Sequence, residues 1–189
     1  MIDFNDIVAR VAALKEEFPS MDPREIIRAR GISLLELPMG TSPNAIKGFI
    51  QKNNRCCSIV VNADLSNSLI QKILFHELGH YEEKHLNFVR SGILSDKDLS
   101  YRRDRTQAAR MENEANFYAA ECTLDTKETL TAICDYDLIT AAGILRVPVE
   151  LLDYKLRLLH RTGQLENYID VLGVQSNCLL RIGDLSDED

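Results

Sequence analysis

No stretch of this 189-residue sequence approaches the roughly 20 consecutive apolar residues that a membrane-spanning helix requires. The N-terminus, which carries Asp3 and Asp6, also lacks the basic start and apolar core of a signal peptide. The expectation is a cytoplasmic protein with no membrane partner. Basic charge is short as well: 22 Lys and Arg face 29 Asp and Glu, a net charge of -7, and the basic residues form no long run. A phosphate backbone needs a basic footprint, so no direct nucleic-acid partner is expected. The five cysteines, Cys56, Cys57, Cys122, Cys134 and Cys178, are odd in number and include no C-x-x-C pair. That excludes a secreted disulfide framework and a thiolate metal site, and leaves free thiols. There is no internal repeat. The length suits one domain, expected over 1–168, followed by an extension over 169–189 that ends in an acidic, disordered tail from Asp184 to Asp189.

What is present reads mostly as helix. Ile7, Val8, Val11, Leu14 and Phe18 recur at helical spacing, and Pro19 stops that helix. Asp22 as N-cap, Pro23 at the first helical position and Glu25 as capping-box partner open a short second helix to Arg30, which Gly31 ends. From Ile32 to Val61 the texture changes. Short apolar runs, Ile32 to Leu37, Gly48 to Gln51 and Ser58 to Val61, alternate with Pro, Gly, Asn and Thr clusters, the pattern of a small antiparallel sheet. Ser66 or Ser68 then opens a helix over about 66–85 that buries Leu69, Ile70, Ile73, Leu74 and Leu78. A polar stretch from Leu86 to Arg105 reads as a mobile loop. Helical spacing resumes over about 108–122 through Met111, Ala115, Tyr118 and Cys122, and short helices follow over about 129–160.

The chemistry lies in His76-Glu77-Leu78-Gly79-His80. Residues four apart on a helix share a face with Cβ atoms about 5–6 Å apart, so both imidazoles can reach one tetrahedral ion. Glu77 follows the first histidine directly and points alongside the metal without having to bind it. This is the H-E-x-x-H arrangement, in which the carboxylate takes a proton from the activated water and returns it to the leaving amine. The bland alternative is two half-buried histidines. Two of only four histidines falling at metal spacing around a glutamate argues against it. A catalytic zinc needs a third protein ligand and one open position. The run Glu112-Asn113-Glu114-Ala115-Asn116 offers two carboxylates equally far from the centre of the apolar stripe, so periodicity does not choose between them. Asn116, one turn beyond Glu112 and able to hydrogen-bond a ligating imidazole, favours Glu112.

H-E-L-G-H followed some thirty residues later by E-N-E-A-N-F-Y-A-A-E resembles the ImmA/IrrE family of bacterial and phage zinc metallopeptidases. The likeness runs from about Ile46 to Leu159. It implies a zincin-like α+β fold, zinc on His76, His80 and Glu112, and Glu77 as the catalytic carboxylate. The family's usual Leu-Leu-Met-Pro ending of the second helix is replaced by Cys122, Thr123, Leu124 and Asp125, a change that touches no ligand. For function the resemblance implies cleavage of a helix-turn-helix repressor, most like the phage-type antirepressor proteases because no sensor domain is appended. A protein-binding antirepressor that keeps zinc without hydrolysis is the alternative.

Three further features bear on the reading. Tyr81, His85 and Tyr118 lie near the site in sequence or helix phase, but packing or solvation accounts for each, so none is assigned to an oxyanion. The segment from Ala141 to Leu159 has the outline of a helix-turn-helix, yet Glu150 and Asp153 beside only Lys155 and Arg157 make it a poor match for DNA. Ile59, Val60, Val61 and Asn62, just upstream of the zinc helix, are expected to form an edge strand that docks substrate by strand addition. The sequence is therefore read as a mostly helical α+β zincin-like peptidase with a small antiparallel sheet, Zn2+ as cofactor and a repressor protein as substrate.

Overall fold

The computed structural model describes residues 2–53, 56–88, 93–94 and 105–165. Most of the expected loop after Leu86, Cys178 and the extension over 169–189 lie outside them. The chain divides into two compact units, Met1–Thr123 and Leu124–Asp189.

The first unit opens with α1 (Phe4–Glu17), capped by Asp3 through the Asp6 amide, and α2 (Pro23–Ala29), capped by Asp22 through the Arg24 amide. A sheet of β1 (Ser33–Leu37), β2 (Gly48–Asn53), β3 (Cys56–Asn62) and the two-residue β4 (Ile93–Leu94) follows in the order β1-β3-β2-β4. Two long helices complete the unit, α3 (Asn67–Glu82) and α4 (Arg105–Thr123). Ser66 caps α3 by accepting from the Leu69 amide. Ile70, Leu74, Phe75 and Leu78 are buried along α3. At about 1.5–3 kcal/mol for each fully buried side chain, this face anchors the helix and offsets the cost of carrying polar groups inward.

Two expectations about the sheet are corrected. The sheet is mixed: β2 runs antiparallel to β3, but β1 pairs with β3 in parallel, Ser33 opposite Ser58 through Leu37 opposite Asn62. The loop between β1 and β2 carries the chain past β3, so β1 arrives in the same direction as β3. And β3 is no edge. Ile59, Val60 and Val61 are paired on one side with β1 and on the other with β2, and their side chains are buried, as a continuous apolar run demands. Asn62 is equally committed. Its Oδ1 accepts from the Met39 and Asp64 amides, and its Nδ2 donates to the carbonyls of Gly40 and Ile46, which pins the crossing loop. With a partner strand on each side, this run presents no open edge to an added strand.

The second unit contains α5 (Thr126–Asp135), α6 (Leu138–Ile144) and α7 (Val149–Arg161), with Asp125 and Asp137 as N-caps of the first two. Leu124, Ile133, Leu138, Leu152 and Leu156 are among its core residues. Lys155, one of the two cations on the would-be recognition helix, is fully buried and donates to Thr126 Oγ1 at 3.0 Å, so it is not offered to a phosphate. Among the described residues no helix is long and apolar enough to cross a membrane.

Candidate metal centre

The site depends on how closely α3 and α4 approach. Gly79 faces α4: a Cβ placed there would lie 3.0 Å from the Ala115 Cα, 3.1 Å from the Ala115 carbonyl oxygen and 3.2 Å from the Tyr118 Cβ. A glycine inside a helix costs about 1 kcal/mol relative to alanine, and here the missing methyl is what lets the two backbones meet. That approach brings Glu112, one turn before Ala115, to the histidines of α3.

His76 Nε2 and His80 Nε2 are 3.1 Å apart, and the Glu112 carboxylate lies 3.4 Å from the first and 3.2 Å from the second. Among the described residues, this is the trio of His, Cys, Asp or Glu whose ligand atoms all fall within 4.8 Å of one another. Ligands about 2.0–2.1 Å from a tetrahedral ion stand about 3.3 Å from each other, so the three separations are those of one face of a tetrahedron. The tautomers agree. His76 Nδ1 lies 2.9 Å from Asn116 Oδ1, an acceptor, so the proton sits on Nδ1 and the Nε2 lone pair points into the cluster. Burial alone would raise the Glu112 pKa, but the His76 and His80 imidazoles beside it outweigh that and hold the carboxyl well below the usual range. The donor set is two imidazoles and a carboxylate with their lone pairs converging, which suits a divalent metal such as zinc.

Glu77 is buried on the same helix and outside that trio. The start of β2 lies over it: a Cβ on Gly48 would come within 3.7 Å of Glu77 Oε1. Tyr118 is buried and hydrogen-bonded to Cys122, and burial pushes its hydroxyl pKa up.

The site holds a second layer that sequence reasoning missed. α3 stops at Glu82, earlier than the expected His85. Lys84 takes a left-handed backbone, φ 59°, and a 3₁₀ turn, His85–Phe88, begins. Five residues on from His80 along a continued helix, His85 would point to another face. The reversal instead places its Nδ1 2.8 Å from His80 Nδ1. His85 Nε2 lies 3.0 Å from Glu114 Oε2, and Arg110 Nε donates to Glu114 Oε1 at 2.9 Å. From α1, Arg10 holds the turn by donating to the Glu82 carbonyl oxygen at 3.0 Å. Burial and the neighbouring His80 ring push the His85 pKa down to about 4, so its ring is neutral at neutral pH.

The family model of Peptidase_M78, the IrrE N-terminal-like domain, matches residues 27–157, more than two thirds of the chain. The chain belongs to this family. Peptidase_M78 is a metallopeptidase family, and the His76, His80 and Glu112 cluster supplies the metal-compatible site such a peptidase needs. The α+β zincin-like architecture expected from the sequence agrees with that membership. No curated protein matched the chain, and no solved structure matched it.

Proposed function

We propose that this Peptidase_M78 member is a zinc-dependent endopeptidase that cleaves a helix-turn-helix repressor and so relieves transcriptional repression. The observation that carries the zinc-peptidase part of the reading is the convergence of His76 Nε2, His80 Nε2 and the Glu112 carboxylate at tetrahedral spacing, with a buried carboxylate, Glu77, on the same helix; the repressor is the substrate that the family resemblance implies.

His76, His80 and Glu112 would hold the ion, three protein ligands leaving one position open. A bound zinc supplies Lewis acidity there, which polarises the scissile carbonyl and makes water nucleophilic at neutral pH. The chain's own groups do the rest. Glu77 receives the proton of the attacking water and delivers it to the leaving amine nitrogen. Asn116 keeps the His76 ring turned so that Nε2 faces the ion. Gly48 carries no side chain where β2 passes α3, and a Cβ there would lie 2.6 Å from Ile73 Cγ2, so the glycine lets β2 pack close to the helix that carries Glu77. A metal retained only as a structural tie would have no use for Glu77, which favours hydrolysis over a purely binding antirepressor.

The test is to incubate the zinc-loaded protein with helix-turn-helix repressors from the same genome and analyse each mixture by mass spectrometry. Two or more discrete repressor fragments are expected, absent when a chelator strips the metal. An intact repressor held in a stable complex would transfer the assignment to the non-proteolytic antirepressor.

A further inference from the structure

His85, Glu114 and Arg110 form a relay whose inner end is a proposed metal ligand. From the proposed metal outward, the groups are His80 Nε2, His80 Nδ1 against His85 Nδ1 at 2.8 Å, His85 Nε2 against Glu114 Oε2 at 3.0 Å, and Glu114 Oε1 accepting from Arg110 Nε at 2.9 Å. Counting protons leaves one arrangement. A ligating His80 gives its Nε2 lone pair to the metal, so its Nδ1 carries the proton. His85 must then accept at Nδ1, which puts its own proton on Nε2, and the acceptor waiting there is a carboxylate. Arg110 donates to the other oxygen of the same carboxylate, so Glu114, 9% exposed, is held between the guanidinium and the His85 ring.

We infer that His85 and Glu114 are positioning residues for the metal centre, fixing the tautomer and ring angle of His80 and raising the basicity of its ligating nitrogen. The inference rests on the proposed metal site and adds what holds one of its ligands. Carboxylate partners of ligating imidazoles are a recurrent device, and losing one costs about 10–100-fold in metal affinity. Here the carboxylate acts across an intervening imidazole. Glu112 and Glu114 are two residues apart on α4 and point about 160° from each other around the helix, so Glu112 meets His80 directly while Glu114 meets it through the His85 ring. The left-handed residue at Lys84 is what delivers His85 into the gap.

Zinc affinity measured by competition with a chromogenic chelator tests this, with His76→Ala as the control for the site itself. His85→Phe keeps the ring volume and removes both nitrogens; Glu114→Gln is nearly isosteric and keeps an acceptor oxygen. His85→Phe is expected to weaken zinc about 10–100-fold and Glu114→Gln by less, with the metal-free proteins melting close to wild type. The double variant should bind no more weakly than His85→Phe alone, because Glu114 reaches the metal only through His85. With Co2+ as probe, Glu114→Gln should shift the visible ligand-field bands, which a side chain that merely fills space would leave in place. A His85→Phe affinity within threefold of wild type, additive losses in the double variant, or unmoved cobalt bands would each overturn the relay while leaving the metal site standing. If wild type binds no zinc, or His76→Ala binds it equally well, the metal site itself falls and the relay with it.

Discussion

Glu77→Gln should keep metal at wild-type stoichiometry and slow peptide-bond hydrolysis by about 10²–10⁴-fold, the usual contribution of a positioned general base. The amide matches the carboxylate in shape, so the buried position, 5% exposed, can accept it without opening a cavity. It cannot take a proton at any pH near neutrality, so the attacking water keeps its own and the leaving amine has no donor. Glu77 lies outside the trio of converging ligand atoms, so metal retention is expected. Elemental analysis, melting temperature and cleavage rate on the same preparation separate the two effects. A variant that cleaves at the wild-type rate would make Glu77 a bystander.

Gly79→Ala should lower both the melting temperature and the metal affinity, against the ordinary helical trend. In an unobstructed helix the change would gain about 1 kcal/mol. At Gly79 the new methyl would press on the Cα and carbonyl oxygen of Ala115, backbone atoms that cannot rotate aside, and overpacking of that kind costs about 1–3 kcal/mol. The clash outweighs the gain in helix propensity, so α4 moves off α3. Because Glu112 and Asn116 ride on α4 beside Ala115, the shift draws the carboxylate from the two imidazoles and the amide from His76. A Gly79→Ala protein that melts higher than wild type and binds zinc as tightly would show that the close approach is dispensable.

Much of this site was legible before any coordinates. His76, Glu77 and His80 follow from one helical turn, and local spacing is what sequence displays best. The choice between Glu112 and Glu114 was open on the helical wheel for a reason the structure supplies: both face inward, Glu112 toward the histidine pair and Glu114 toward His85. Neither is a solvated charge. His85 stood out as near the site, but its contact with His80 was beyond sequence because its placement depends on a positive φ at Lys84, a residue type with no special preference for that region. The glycine of H-E-L-G-H, unfavourable in a helix interior, was the available signal for close helix packing. The status of Ile59 to Asn62 was also beyond sequence, since an apolar β-run reads the same at the edge or the centre of a sheet. What decides it is β1, which returns from earlier in the chain to pair in parallel with it.

The most direct test of the account is anomalous diffraction from zinc-loaded crystals, recorded above and below the zinc edge. The account predicts one strong peak, about 2.0–2.2 Å from His76 Nε2, His80 Nε2 and a Glu112 carboxylate oxygen. A map with no peak there, or with its zinc bound at other side chains, would contradict it.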